Sequence, residues 1–283
     1  MSHSVVLLGG PDSGKTNYIG RVWPALDSKG GCLHIAQQPS DITFVLEVTD
    51  HLNSGNFAPR TDLADERRDF EVIVAEKVGG PQTSIVIPDI SGELWLNAVK
   101  SYEISKEWMR ELTSAHGALL FVRVGSDQDI RPLDWVTSKK LMAKVLVPEA
   151  PGIPTQVILC ELIRFMEICL MDRPDGGLPR VSIVVCAWDL VDREKFAKGP
   201  KAWLEHEYPL LAGRLGDIQR LDVRIFGMSI VGGDLKTDAG CRDAVQEGGL
   251  DGCGWVAVEG AGGKWERSGD LTLPLAWAIG TSM

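Results

Sequence analysis

The chain has 283 residues, 44% of them hydrophobic and 24% charged, which is ordinary for a soluble globular protein and enough to bury one large core or two modest ones. A formal net charge of −10 excludes a general affinity for nucleic acid or anionic membrane, since either needs a broad basic face. The six cysteines include no CxxC pair and the five histidines no HExxH, so reduced thiols, several of them in the core, are expected rather than a structural zinc.

The first apolar run, Val5–Leu8, is short and passes straight into glycines, so no signal peptide is expected. Val157–Met171, the longest apolar stretch, is too short for a bilayer and carries Glu161, Arg164 and Glu167. A cytoplasmic protein with no membrane span is the expectation.

In chain order, Ser4–Leu8 reads as a buried parallel strand ending at Gly9, and Gly14 to about Leu26 as a helix. Pro39-Ser40-Asp41 opens a second helix, with Ile42, Val45, Leu46, Thr49 and Leu52 on one face and Gly55 as its stop. Residues 59–69 are polar and turn-rich. Phe70–Lys77 and Thr83–Pro88, joined by Gly79-Gly80-Pro81, read as a β-hairpin.

Leu94–Ser114 then reads as one helix with Trp95, Ala98, Val99, Tyr102, Met109 and Leu112 on a common side. Ala118–Val124 and Val181–Ala187 are two more buried strands, with a helix at Gln156–Met171 inside the long insertion between them. Lys201–Arg214 is expected to be a helix, Leu221–Met228 the last strand of the sheet and Leu273–Ile279 a closing helix. The glycine-rich stretch 232–269, broken by an apolar patch at Trp255–Val258, is either a lid or a surface loop. Strands alternating with helices imply a single three-layer α/β domain over residues 1–283, mostly parallel with one antiparallel hairpin strand. Insertions are expected at about 125–180 and 232–269.

The octet Gly9-Gly10-Pro11-Asp12-Ser13-Gly14-Lys15-Thr16 satisfies G-x-x-x-x-G-K-[ST] and lies between the first strand and the first helix, as the phosphate-binding loop requires. Glycines let consecutive amides curl around an anion, and the helix N-terminus adds its dipole. Lys15 is placed to reach the β- and γ-phosphates and the Thr16 hydroxyl to ligate Mg²⁺, with Asn17 adjoining them in the nucleotide-binding set. Asp89-Ile90-Ser91-Gly92 follows the hairpin directly. Asp89 is the candidate second Mg²⁺ ligand, and Gly92 lets a backbone amide approach the γ-phosphate.

The order of phosphate loop, antiparallel hairpin, D-x-x-G and long helix resembles the Ras-like GTPase superfamily over most of the chain. The segments LLGGPDSGKTNYIGRVW, GNFAPRT, PDISGE and LTLPLAW are more specifically similar to the bacterial double-GTPase families of predicted conflict or anti-phage gene clusters. This resemblance implies a P-loop fold of the Ras-like G-domain type, GTP and GDP as ligands, Mg²⁺ as cofactor, slow GTP hydrolysis and protein partners from a bacterial defence system.

It also implies residue roles. Thr61 either falls where switch I places the threonine that closes over Mg²⁺ and the γ-phosphate or is a capping or loop threonine; its rivals Thr43 and Thr49 lie inside the expected second helix. Glu93 stands where a water-orienting glutamine would be, and equally suits a helix N-terminus. No catalytic arginine is assigned from the sequence; Arg60, beside Thr61, and Arg123, just after a strand, are unsupported candidates. The base loop departs from the family's N-K-x-D: here it reads Cys186-Ala187-Trp188-Asp189, keeping only the aspartate that would pair with guanine. Trp188 either stacks on the base or belongs to the core. Gly227-Met228-Ser229-Ile230 matches the final base-contacting loop, with Ser229 and Ile230 as its candidates. A P-loop ATPase or kinase, and a nucleotide-bound assembly subunit that does not hydrolyse, are the alternatives.

Overall fold

The computed structural model describes residues 2–28, 30–39, 41–59, 68–77, 79–80, 82–89, 92–132 and 152–281. β1 (Ser2–Leu8) leads through the glycine loop into α1 (Lys15–Asp27). β2 (His34–Gln37), α2 (Thr43–Asn53), β3 (Arg68–Ala75) and β4 (Gln82–Asp89) follow. The Asp41 carboxylate accepts from the Thr43 amide at the start of α2, and Gly55 sits just past its end at φ 74°, the left-handed stop that glycine supplies.

β3 and β4 form the expected antiparallel hairpin, paired from Arg68↔Asp89 to Ala75↔Gln82. The single helix expected over Leu94–Ser114 is two, α3 (Gly92–Ser101) and α4 (Lys106–Ser114). The break comes at Tyr102, which takes φ 58° and stands 71% exposed instead of joining the apolar face. Ser105 then caps the new helix by accepting from the Trp108 amide.

β5 (Ala115–Arg123) and β6 (Arg180–Cys186) run parallel, joined by a crossover that contains α5 (Thr155–Cys169). After a 3-10 turn at Trp188–Leu190 come α6 (Arg193–Glu207) and α7 (Pro209–Gly216). The helix expected at Lys201–Arg214 is therefore divided, because Pro209 opens a new helix at its first position. β7 (Asp222–Ser229), α8 (Ala239–Gly248), β8 (Trp255–Glu259), β9 (Trp265–Ser268) and α9 (Leu273–Ala278) complete the described chain.

The sheet has nine strands in the order β2-β3-β4-β1-β5-β6-β7-β8-β9. From β4 to β7 every pairing is parallel, and at both edges the pairings are antiparallel. The architecture is α/β with a large mixed sheet, which corrects the expectation of one antiparallel hairpin strand. The correction comes from the glycine-rich stretch, which carries α8, β8 and β9 between its turns. Trp255, Val256 and Ala257 are buried, and pairing β8 to β7 satisfies their backbone groups. β7 is accordingly not the last strand.

Alternation along the central strands divides the core. Val6, Leu8, Leu120, Val122, Ile183 and Val185 face α3 to α7, whereas Val5, Leu7, Leu119, Phe121, Val184 and Cys186 face α1, α2 and α9. Burial on both faces is why these strands read as continuous apolar runs. All six cysteines are free thiols; Cys186 is buried in the core, and Cys32, Cys160 and Cys169 are half-buried against it.

Candidate functional site

The C-terminal ends of β1, β5, β6 and β7 lie side by side, as the parallel registers Leu8↔Leu120, Arg123↔Cys186 and Cys186↔Met228 require. In an open α/β sheet this is the edge at which ligands bind. The turn after β1 is the phosphate loop. Gly9 and Gly14 adopt φ 147° and 91°, and a Cβ at Gly9 would lie 2.7 Å from the Ser13 hydroxyl and 3.0 Å from the Phe121 carbonyl. Only glycine fits there. The Lys15 ammonium donates to the carbonyls of Gly9 at 3.0 Å and Gly10 at 3.1 Å and to Ser13 Oγ at 3.2 Å. It is thereby held inside the loop where an anion would sit. Thr16 is half-buried in the first turn of α1. Asn17 Oδ1 accepts from the Ala58 amide at 2.8 Å, tying the lead-in to the expected switch I back to α1.

Two further segments close on the loop. A Cβ at Gly92 would fall 2.4 Å from the backbone of Gly10 and Pro11, so the first residue of α3 rests directly on the phosphate loop. From the other side, the Cys186 thiol donates to the Ser13 carbonyl at 2.8 Å, joining phosphate loop to base loop. Burial pushes that thiol up to about 12, the nearby Arg123 charge opposing the shift, so it stays a protonated donor at neutral pH. No role for Cys186 is legible in the sequence, because only the aspartate of the tetrapeptide matches the family pattern. Its signal was position: it is the first residue of that tetrapeptide.

Ala187 turns the chain in the left-handed region at φ 54° and brings Asp189 to a half-buried position at the site edge. The charge of Asp189 reaches the Cys241 thiol, which is pushed up chiefly by burial and then by Asp238, Cys253, Asp189 and Asp234. Trp188 is corrected to a core residue. It is fully buried, packs edge-on to Trp203 at 5.9 Å between centroids, and covers Gly227 so closely that a Cβ there would be 2.8 Å from the indole. Its ring is therefore not offered to a base.

Ser229 is buried, its hydroxyl accepting from the Gly232 amide at 3.0 Å. The Ile230 carbonyl receives Arg21 Nε at 3.1 Å, while Arg21 Nη2 donates to the carbonyls of Leu250 and Cys253. Arg21, in α1 just beyond the phosphate loop, thus fixes the last candidate base loop to the segment before β8. It was not singled out from sequence, since its acceptors are backbone carbonyls more than 200 residues away.

Asp89 ends β4, and the parallel register Ser4↔Val86 carries its backbone to the phosphate-loop end of β1; its side chain lies outside the described residues. So do Arg60 and Thr61. Glu93 is an exposed acid in the first turn of α3. No helix among the described residues is long and apolar enough to cross a membrane.

The family model for Double-GTPase 1 matches residues 6–278, nearly the whole chain and every segment of this site. The chain belongs to the Double-GTPase 1 family. The Ras-like P-loop GTPase resemblance read from the ordered motifs therefore holds. No curated protein matches the chain. Among solved structures it is similar to a chain of the signal recognition particle receptor SRb-GTP/SRX complex from Chaetomium thermophilum, at 14% identity and a TM-score of 0.39, covering 87% of this chain and 97% of that one.

Proposed function

We propose that this Double-GTPase 1 protein is a Mg²⁺-dependent GTP-binding switch with slow GTP hydrolysis. The observation that carries the proposal is the junction of Cys186 with Ser13 and of Gly92 with Gly10, which brings the candidate base loop and the glycine of the D-x-x-G motif against the phosphate loop. The Lys15 ammonium and the loop amides suit the β- and γ-phosphates, and Asp189 suits the two guanine N–H groups. Thr16 and Asp89 supply the hard oxygen donors that Mg²⁺ prefers, with Thr61 assigned to join them when triphosphate is bound. The metal would neutralise charge on the β- and γ-phosphates. Glu93 occupies the position of the water-orienting glutamine, and a carboxylate there supports slow turnover. On the sequence resemblance alone, we assign it protein partners within a bacterial defence system.

The base assignment is tested by competition binding of GDP, ADP and XDP to wild type and to Asp189→Asn. A carboxylate that accepts two guanine N–H bonds is left unpaired by adenine, so GDP should bind at least about tenfold more tightly than ADP, or roughly 1.4 kcal/mol. Asp189→Asn should erode this preference towards XDP. Equal GDP and ADP affinities in wild type would remove the guanine assignment and leave the phosphate site standing. For the metal, Asp89→Ala should leave GDP binding largely intact and abolish the Mg²⁺-dependent gain for GTP. Unchanged GTP affinity and hydrolysis in Asp89→Ala and with chelator would make Asp89 a turn residue.

A further inference from the structure

The phosphate loop carries an acid inside its anion-binding turn. Asp12 takes φ 60°, a left-handed conformation that aspartate tolerates better than most residues. An uncompensated carboxylate there would oppose the field that Lys15 and the loop amides present to phosphates. It is met by Arg123, the last residue of β5. Arg123 Nη1 lies 2.8 Å from Asp12 Oδ1 and 3.3 Å from the Asp12 carbonyl.

Both side chains are about three-quarters buried, at 25% and 27% exposure, so the pair is better shielded from solvent and salt than an open surface bridge. The approach is built into the sheet. Leu119 and Phe121 face α1, and Arg123, two residues further on, continues that row beyond the strand's buried part. Other groups also feel the guanidinium. Asp234 is held below the ordinary carboxylate range: burial pushes it up, but the Thr237 hydroxyl, the Lys236 amide and then the Arg123 charge draw it down further. Arg123 Nε is buried and has no acceptor among the described residues.

We infer that Arg123 is a charge-neutralising residue of the nucleotide site, pairing with Asp12 so that the phosphate loop presents a net positive field to the bound phosphates. This rests on the phosphate-binding reading and adds to it a residue from a strand outside the loop. It explains why an acid is compatible with the loop: the arginine supplies in cis the charge that Asp12 removes.

The test is a double-mutant cycle read as GDP affinity by calorimetry at low and moderate salt. A wild-type titration comes first, and a protein that binds no nucleotide would overturn the phosphate-binding reading itself. With binding established, Arg123→Gln should weaken GDP affinity about ten- to hundredfold, the scale of one unbalanced charge beside a partly shielded site, and more at low salt. Asp12→Asn should tighten binding about three- to tenfold, because Arg123 is then uncompensated. The double variant should return to within about threefold of wild type. A double variant as weak as Arg123→Gln alone, or an Asp12→Asn variant that binds more weakly than wild type, would overturn the inference while leaving the phosphate loop intact. Should Arg123→Gln lose its cooperative thermal transition, the sign of the Asp12→Asn effect decides the question by itself.

Discussion

Lys15→Ala should lose GTP binding by about a hundred- to a thousandfold or more while keeping a wild-type thermal transition. The ammonium is held by three oxygens of the loop itself, the carbonyls of Gly9 and Gly10 and the Ser13 hydroxyl. Charge-assisted hydrogen bonds contribute about 1.5–3 kcal/mol each, and the lysine is expected to transfer them from loop oxygens to the β- and γ-phosphates. Its loss therefore falls on the complex rather than on the fold. Calorimetric titration, alongside circular dichroism through the thermal transition, separates the two. Wild-type affinity in this variant would remove the phosphate-loop reading.

Gly92→Ala should weaken GTP binding about ten- to hundredfold and GDP binding much less. A Cβ at this position has backbone, not a flexible side chain, 2.4 Å away at Gly10 and Pro11, so either α3 or the phosphate loop must shift. Overpacking of this kind costs about 1–3 kcal/mol. The cost should fall mainly on the triphosphate complex, in which the Gly92 amide is expected to approach the γ-phosphate. Equal losses for GTP and GDP would place Gly92 in general loop packing instead. Unchanged GTP affinity would mean that α3 yields freely.

What the sequence made legible is what local chemistry determines. The octet from Gly9 to Thr16 declares its backbone shape through glycines and its chemistry through Lys15 and Thr16, all within one turn. Continuous apolar runs marked β1, β5 and β6 because both faces of those strands are buried. The hairpin of β3 and β4 followed from its alternation and its Gly-Gly turn. Tyr102, in contrast, fitted a helical stripe by spacing yet breaks the helix, because one left-handed residue is invisible to periodicity.

The strands β8 and β9 were hidden by composition. The glycines on either side of them suggested a loop, and the pairing of Trp255, Val256 and Ala257 with β7 is a tertiary event. The same holds within the site. Cys186 and Ser13 are 173 residues apart in sequence, and Arg123 and Asp12 are 111 apart. No motif spacing connects either pair; only the order of strands in the sheet does. Trp188 shows the converse, a residue placed in the site by its neighbour Asp189 but directed into the core by its own side chain.

The most direct test of the central claim is calorimetric titration of the wild-type protein with GTP and with ATP, each with Mg²⁺. The guanine-triphosphate reading expects saturable GTP binding at one site, at least about tenfold tighter than ATP and lost in Lys15→Ala. ATP binding as tight as GTP, or GTP binding that survives Lys15→Ala undiminished, would contradict it.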